Sequence, residues 1–448
     1  MGFKKTIPLN EFITLQRGFD LPKDERIAGN VPVIASTGIG GYHNETKVNA
    51  PGVVIGRSGS IGGGQYITVD FWPLNTTLWV KDFKGHHPRY VYYLLKSIDF
   101  SQFNVGSGVP TLNRNHLSGV LVANTSYKYE KKIADIIGSL DDRIEFNKKI
   151  NQTLEQMAQT LFKSWFVDFD PVIDNALDAG NPIPTPFQER AELRQKVRKS
   201  ADFKPLSTEI RALFPAKFEE TELGWVPKGW SYQNFGNILL NTIGGDWGSD
   251  VPNEKHSIQA RIIRGTDIPE ILSGKLSSAP IRWVEPKKLK TRRIEAGDII
   301  IEVSGGSPKQ PTGRSIFMTE ELITQLGGIV EPASFCRKFQ PKSMELGLLA
   351  STHLKKIYDE GKTWEYQNQS TGIANFQTKF FLETEQLVVP EDAVLNKFFD
   401  LVMPVISKSH SNEQTMLTQL RDTLLPKLIS GELSLDDLPE AINEAKAA

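Results

Sequence analysis

The sequence predicts an α+β protein in which two similar mixed α/β domains are separated by two long helices that pair with one another. Three observations carry this expectation. One helical pattern runs unbroken from Tyr127 to Phe166, a second lies near the far end of the chain, and the two stretches can be laid over one another together with the loops upstream of them.

In the first pattern Ile133, Ile137, Leu140, Ile144, Leu154, Ala158, Leu161 and Trp165 recur in alternating steps of four and three, with Asn147 and Asn151 in the two middle seam positions. That is a heptad repeat. About forty residues at ~1.5 Å each give a rod of roughly 60 Å, longer than one compact domain requires, so a partner helix is expected. Phe399, Met403, Ile406, Leu417, Leu420 and Leu424 supply it, with His410 and Glu413 as the polar middle. Pro404 is expected to bend its first third. Laid together, Leu154, Met157 and Leu161 fall on Leu417, Leu420 and Leu424, and GSGVPTLNRNHL (Gly106–Leu117) lies over QSTGIANFQTKF (Gln369–Phe380). The chain therefore reads as a long-period duplication, each half a globular domain followed by a long helix.

At 448 residues the chain is too long for one core and suits two domains. Its lone cysteine, Cys336, excludes an internal disulfide and any cysteine zinc site, and fits a reducing, cytoplasmic setting. No apolar run approaches the ~18 residues of a membrane helix, and the N-terminus lacks a secretory apolar stretch. A net charge of −1 argues neither for nor against a polyanionic partner, because basic residues can gather on one face.

Residues 1–125 alternate short β runs (VPVIAS, GVVIGR, QYITV, TTLWV) with glycine-rich turns, and a helix is expected from Pro88 to Lys96. The first long helix takes residues 126–167. Six prolines between Pro171 and Pro215 mark 168–224 as a linker, with FQERAELRQKVRKS a short helix inside it. Residues 225–390 repeat the first style of domain, with a helix at about Leu346–Glu360. A second long helix spans 391–431 and a short tail 432–448.

Catalytic constellations are absent. GRSGSIG is not the dinucleotide fingerprint, GGSPKQPTGRS lacks the lysine and spacing of a phosphate loop, and the seven histidines show no metal spacing. No Asn-Pro-Pro-Tyr type tetrapeptide marks an amino-methyltransferase. What remains are polar glycine-rich loops on two similar domains: Arg57-Ser58-Gly59-Ser60 in one, Ser304 to Gln310 in the other. Glycine lets a backbone approach closely, and such side chains can donate to phosphates or base edges. RWVEPKKLKTRR (Arg282–Arg293) adds six basic residues against one acid, although such a run is more often a solvated strip.

With this plan, and with the strings KKINQTLEQMAQTLFKSWFVDFDP (Lys148–Pro171) and LTQLRDTLLPKLISGEL (Leu417–Leu433), the sequence resembles the specificity subunit of Type I restriction-modification enzymes over nearly its whole length. The resemblance implies two target recognition domains, each reading half of a bipartite, asymmetric site on double-stranded DNA, and an antiparallel coiled coil that acts as a ruler across the unread spacer. It implies no cofactor in this chain. Two methyltransferase subunits would carry S-adenosylmethionine, and restriction subunits, motor nucleases using ATP and Mg, would join them. Adenine methylation and restriction would be the partners' chemistry.

By the same resemblance SGVPTLN (Ser107–Asn113) and STGIANF (Ser370–Phe376) match a loop that closes each recognition domain, expected to contact DNA or a methyltransferase. The candidate DNA-binding residues are Arg57, Ser58, Ser60, Ser107, Asn113 and Arg114 in the first half, and Ser304, Lys309, Gln310, Arg314, Gln369 and Ser370 in the second. Lys287, Lys288, Arg292 and Arg293 are expected on phosphate. Tyr42 and Trp247 stand out as aromatics in glycine-rich loops, where they could pack on a displaced base or sugar, with core anchoring the commoner fate of such residues. A stand-alone enzyme and a protein-binding scaffold are the competing classes; methyl-donor binding by the isolated chain would favour the former, and indifference to DNA sequence the latter.

Overall fold

A computed structural model of the chain describes residues 5–105, 108–273, 279–305, 310–370 and 373–438. The chain divides into two compact units, Met1–Phe146 together with Met416–Ala448, and Asn147–Thr415. In the first unit a four-stranded antiparallel sheet runs in the order Thr14–Arg17, Thr77–Asp82, Gly52–Gly56, Gly62–Ile67. Beside it lies a three-stranded sheet, Gly38–His43, Val31–Ala35, Trp72–Pro73, whose last pair is parallel. The helix Pro88–Ser97 packs on the last two strands of the larger sheet, and Lys5–Pro8 pairs with Leu121–Asn124 to close the domain.

The second unit repeats this plan strand for strand. Leu239–Gly244, Cys336–Pro341, Ile299–Glu302 and Ser315–Phe317 form the larger sheet. Ile281–Val284, Ile258–Ile263 and Val330–Pro332 form the smaller one, again with a parallel last pair. Helix Met344–Asp359 takes the place of Pro88–Ser97, and Ser231–Asn234 pairs with Gln386–Val389. Backbone hydrogen bonds set the equivalence of the closing loops one residue away from the sequence overlay. Leu112 N–H donates to the Arg57 carbonyl at 2.8 Å, and Phe376 N–H to that of Val303 at 2.9 Å.

The first long helix is continuous from Tyr127 to Phe162 and tightens into one π-turn at Lys163–Val167. Its apolar stripe is buried in both cores. Ile133 and Ile137 share the first unit's core with Leu424 and Leu428, while Ala158, Phe162 and Trp165 share the second unit's core with Phe398 and Val402. The pairing is antiparallel in each. In the first unit Tyr129 Oη accepts from Leu435 N–H at 3.1 Å and Asp141 meets Arg421 at 2.9 Å. In the second, Asn151 Nδ2 donates to the Ser409 carbonyl at 3.1 Å, and Phe162 meets Phe398 with ring centroids 6.3 Å apart.

Two expectations are corrected. The second helix is two, Asp392–Ser409 and Glu413–Ser430; Pro404 and Pro426 lie within them, and the interruption falls at His410. There the carbonyls a longer helix would use internally are claimed by side chains: Asn151 takes that of Ser409, and Gln325 takes that of His410. Burial pushes the His410 imidazole down to about 4, so at neutral pH the break contains an uncharged ring beside Thr319.

The proline-rich stretch after residue 168 is not a free spacer either. It forms helices Asp170–Asp178 and Gln188–Arg198, joined by a ladder in which Asp170, Asp174 and Asp178 face Arg190, Arg194 and Arg198. Steps of four on both helices align the rungs, and Val172 and Phe214 anchor the segment in the second unit's core. The expected helix in FQERAELRQKVRKS is one side of this ladder.

Asp170 is nearly sealed from solvent and accepts two bonds from Arg190, at 2.7 and 2.8 Å, whereas the Asp178 side chain is 47% exposed. Asp170→Ala loses the bonds that Arg190 and Ser164 donate to this buried carboxylate, while Arg190 keeps Asp168 at 3.0 Å as a partner, so it should cost about 2 kcal/mol. Asp178→Ala should cost under about 1 kcal/mol. Denaturant unfolding of the two variants measures both; equal losses would show that the ladder does not anchor this segment.

Candidate nucleic-acid interface

In the first unit the strand ends at Gly56, where a side chain would run into the Ser60 carbonyl, and Gly59 adopts φ +83° to complete the turn. The loop so formed is fastened on both sides. Arg57 and Ser58 N–H donate to the Thr76 carbonyl at 2.8 and 3.1 Å, and Gly59 N–H donates to that of Pro110 at 2.9 Å. Ser58 bridges Thr111, and the Asn104 side chain accepts from Thr111 N–H at 2.9 Å.

This stitching brings Arg57, Asn113 and Arg114 together around one open concavity of about 590 Å³. Gln16 and Arg17, which lie in no motif, complete its rim. Asn113 caps the short helix Arg114–Leu117 through Asn115 N–H at 3.0 Å, and Arg57 donates to the Asn75 carbonyl at 3.2 Å. Among the described residues no carboxylate pairs with Arg17, Arg57 or Arg114, so the concavity offers three uncompensated guanidiniums. Ser60 is exposed at the turn. Ser107 lies outside the described residues.

The second unit builds the same loop pair with different charge. Ser304 and Gly305 pair with Asn375 and Ala374, and Ser304 Oγ donates to Asn375 Oδ1 at 2.8 Å. Gln369 and Ser370 lie on the strand Gln367–Ser370 that extends this pairing. Gln310 is exposed, and Lys309 lies outside the described residues. Arg314 is not presented to a ligand: its guanidinium is half-buried and doubly bonded to Glu302 at 2.7 and 2.8 Å. The cation at the position of Arg17 comes instead from a neighbouring strand. Gly244 stands opposite Arg337 as Arg17 stands opposite Leu78, and the Arg337 guanidinium lies 4.0 Å from where a Gly244 side chain would begin.

The basic run is only partly free. Lys288 and Arg292 meet the Asp246 carboxylate at 3.0 and 2.7 Å, and Arg292 Nε also donates to the Gly244 carbonyl at 3.0 Å. Burial opposes ionisation of Asp246, but hydrogen bonds from Lys288 and the Trp247 N–H, with the nearby Arg292 charge, hold it below the usual carboxylate range. Lys287 is exposed, as is Arg293, which donates to the Gly328 carbonyl at 3.3 Å.

Beneath this cluster Glu331 is fully buried, with no hydrogen-bond partner for either carboxyl oxygen among the described residues. Burial pushes its pKa up to about 7 against the pull of Arg292. A carboxyl whose folded pKa is raised favours the folded state below its ordinary pKa of 4.5, and that contribution is lost as pH rises through about 7. Glu331→Gln should therefore match the parent near pH 4.5 and exceed it by roughly 1–3 kcal/mol at pH 8. Unfolding titrations at both pH values check this; a constant difference would remove Glu331 as the source.

Among the described residues no group of three or more His, Cys, Asp or Glu could hold a metal ion, and no helix is long and apolar enough to cross a membrane. Residues 3–156 match the family described as Type I restriction modification DNA specificity domain. The chain is 25% identical over 384 residues to the Type I restriction enzyme MjaIX specificity subunit of Methanocaldococcus jannaschii, covering 83% of this chain and 76% of that protein. It is 26% identical over 382 residues to the HindI specificity subunit of Haemophilus influenzae, covering 77% of each. The solved S subunit of a Type I restriction-modification system from M. genitalium shares the fold, with a TM-score of 0.55 at 14% identity over 95% of this chain and 96% of that one. With its duplicated domains and antiparallel helix seam, the chain is similar along most of its length to Type I restriction enzyme specificity subunits.

Proposed function

We propose that this chain is the non-catalytic DNA-reading subunit of a Type I restriction-modification complex, each domain reading one half of a bipartite, asymmetric site through its paired glycine-rich loops. The observation that carries the reading is the concavity holding Arg17, Arg57 and Arg114 on a loop pair that the second unit repeats in backbone but not in side chains. A shared frame with different donors is what two unlike half-sites require. Arg17, Arg57, Asn113 and Arg114 then serve the first half-site, and Ser304, Gln310 and Arg337 the second. Lys287 and Arg293 contact phosphate directly, while Lys288 and Arg292 chiefly hold the loop around Asp246. Two methyltransferase subunits bring S-adenosylmethionine and the adenine chemistry, and restriction subunits bring ATP-driven cleavage with Mg. The site of action is cytoplasmic. The 36-residue helix Tyr127–Phe162, with its antiparallel partners, sets the spacer between the half-sites.

Co-purification with the methyltransferase subunit encoded beside this chain, followed by sequencing of methylated adenines, should yield a bipartite motif that changes in one half only when residues 1–125 are exchanged. A stable complex that methylates no motif would overturn the reading. Arg57→Ala should weaken binding by about 1–3 kcal/mol on duplexes with an intact first half-site and leave binding to duplexes scrambled there unchanged. Competition binding measures this, and identical losses on every duplex would count against base reading by Arg57. Inserting four residues after Asn151 should lengthen the tolerated spacer; an unchanged spacer would refute the ruler.

A further inference from the structure

The loop Gly244–Asp250, GGDWGSD, is fastened at nearly every residue yet leaves a large aromatic side chain in solvent. Gly245 N–H donates to the Cys336 carbonyl at 3.0 Å and Asp246 N–H to that of Pro332 at 3.0 Å. In the first unit Gly18 and Phe19 make the same two bonds, to Thr77 and Pro73, at 3.1 and 2.8 Å. The loop therefore begins where the first unit has just placed Arg17 on the rim of its concavity.

Neither Gly18 nor Gly245 has room for a side chain against the facing carbonyls of Leu74 and Ala333. Gly248 takes φ +69° tight against the Trp283 carbonyl, and Ser249 and Trp283 exchange two backbone bonds, at 2.8 and 2.9 Å. Asp246 grips Lys288 and Arg292, and Asp250 grips Arg282.

Within this frame the Arg282 guanidinium stacks 4.7 Å from the centre of the Trp247 ring, and its Nε donates to the Trp247 carbonyl at 3.2 Å. Trp247 nevertheless stays 38% exposed, beside Val251 and Ile281, which are 64% and 56% exposed. An indole used for core anchoring would be covered. One held against a cation, with its remaining surface in water and exposed lysine and arginine on the adjoining helix, is a pre-ordered contact surface with little left to lose in side-chain entropy.

We propose that the Gly244–Asp250 loop is a DNA-contacting element of the second domain, in which Trp247 packs on the deoxyribose and base edge of that domain's half-site. Lys287 and Arg293 flank it on phosphate, and Arg282 positions the indole without being consumed by the DNA. Asp246 keeps Lys288 and Arg292 neutralised, so the surface around the tryptophan discriminates by shape and apolar contact rather than by charge alone. This inference rests on the DNA-reading function proposed above.

The test uses the full chain in complex with its methyltransferase subunit, on duplexes carrying the motif that the parent complex methylates and on duplexes scrambled in one half. Trp247→Ala should lose at least about tenfold in affinity for the intact motif and nothing on duplexes scrambled in the second domain's half, while Trp247→Phe recovers most of the loss. The salt dependence of Trp247→Ala should equal the parent's, whereas Lys287→Ala and Arg293→Ala should each lower its slope by about one. Parent-like affinity of Trp247→Ala for the intact motif, or the same loss on every duplex, overturns the inference while leaving the DNA-reading function standing. A parent complex that prefers no duplex removes both.

Discussion

A helix with one apolar stripe must bury that stripe, and the helix Tyr127–Phe162 buries its own in two separate cores. Everything else is arranged around that requirement. Ile133 and Ile137 are as much part of the first unit's core as its sheet residues, and Ala158 and Phe162 stand in the same relation to the second. Helical propensity is a weak source of stability for such an element; packing of the apolar stripe at both ends supplies most of it. Polar Asn147 and Asn151 sit in the middle of the seam: the half-buried Asn151 amide donates to the Ser409 carbonyl, a bond that a slipped register would break, while the buried Asn147 Nδ2 has no hydrogen-bond partner among the described residues.

The two domains show how one frame carries two chemistries. The backbone bond from Leu112 to Arg57 and that from Phe376 to Val303 close equivalent loops, but the residue at the closure is an arginine in one, with no carboxylate partner among the described residues, and a valine in the other. The contrast deepens at the smaller sheet. Trp72, packed edge-on against Phe19, has Glu331 as its counterpart on the parallel strand, and the counterpart of Phe19 is Asp246. An apolar contact in one domain is thus an ionic cluster in the other, and the second domain carries the buried Glu331 carboxyl, without a hydrogen-bond partner among the described residues, as the cost.

The heptads, the duplication and the turn chemistry were legible because each is a local or periodic signal. The strand runs, the helix at Pro88 and the loops at Arg57 and Ser304 follow from neighbours in sequence. The interruption at His410 does not: no glycine or proline stands there, and the cause is two distant side chains that capture carbonyls. The Asp170 ladder joins residues twenty apart across a stretch that its six prolines mark as irregular, and its pairing is not a local signal. Arg17 and Arg337 carry no motif at all. Their place on the rim comes from strand pairing across the sheet, which one sequence does not reveal, just as the commitment of Arg314 to Glu302 depends on a partner twelve residues away.

Residues from Met416 onward belong to the unit that the N-terminus begins, and they bring Leu424, Leu425, Leu428, Ile429 and Leu438 into its core. The second unit, by contrast, is one uninterrupted stretch of chain. On the ribosome the domain started first is therefore finished last. Its half of the long helix emerges with an uncovered apolar face and waits through the synthesis of some 270 further residues, roughly 15–50 s at bacterial elongation rates, before its last strip of core arrives. Nascent-chain protection, rather than the stability of the finished fold, would then limit how much of this protein a cell obtains.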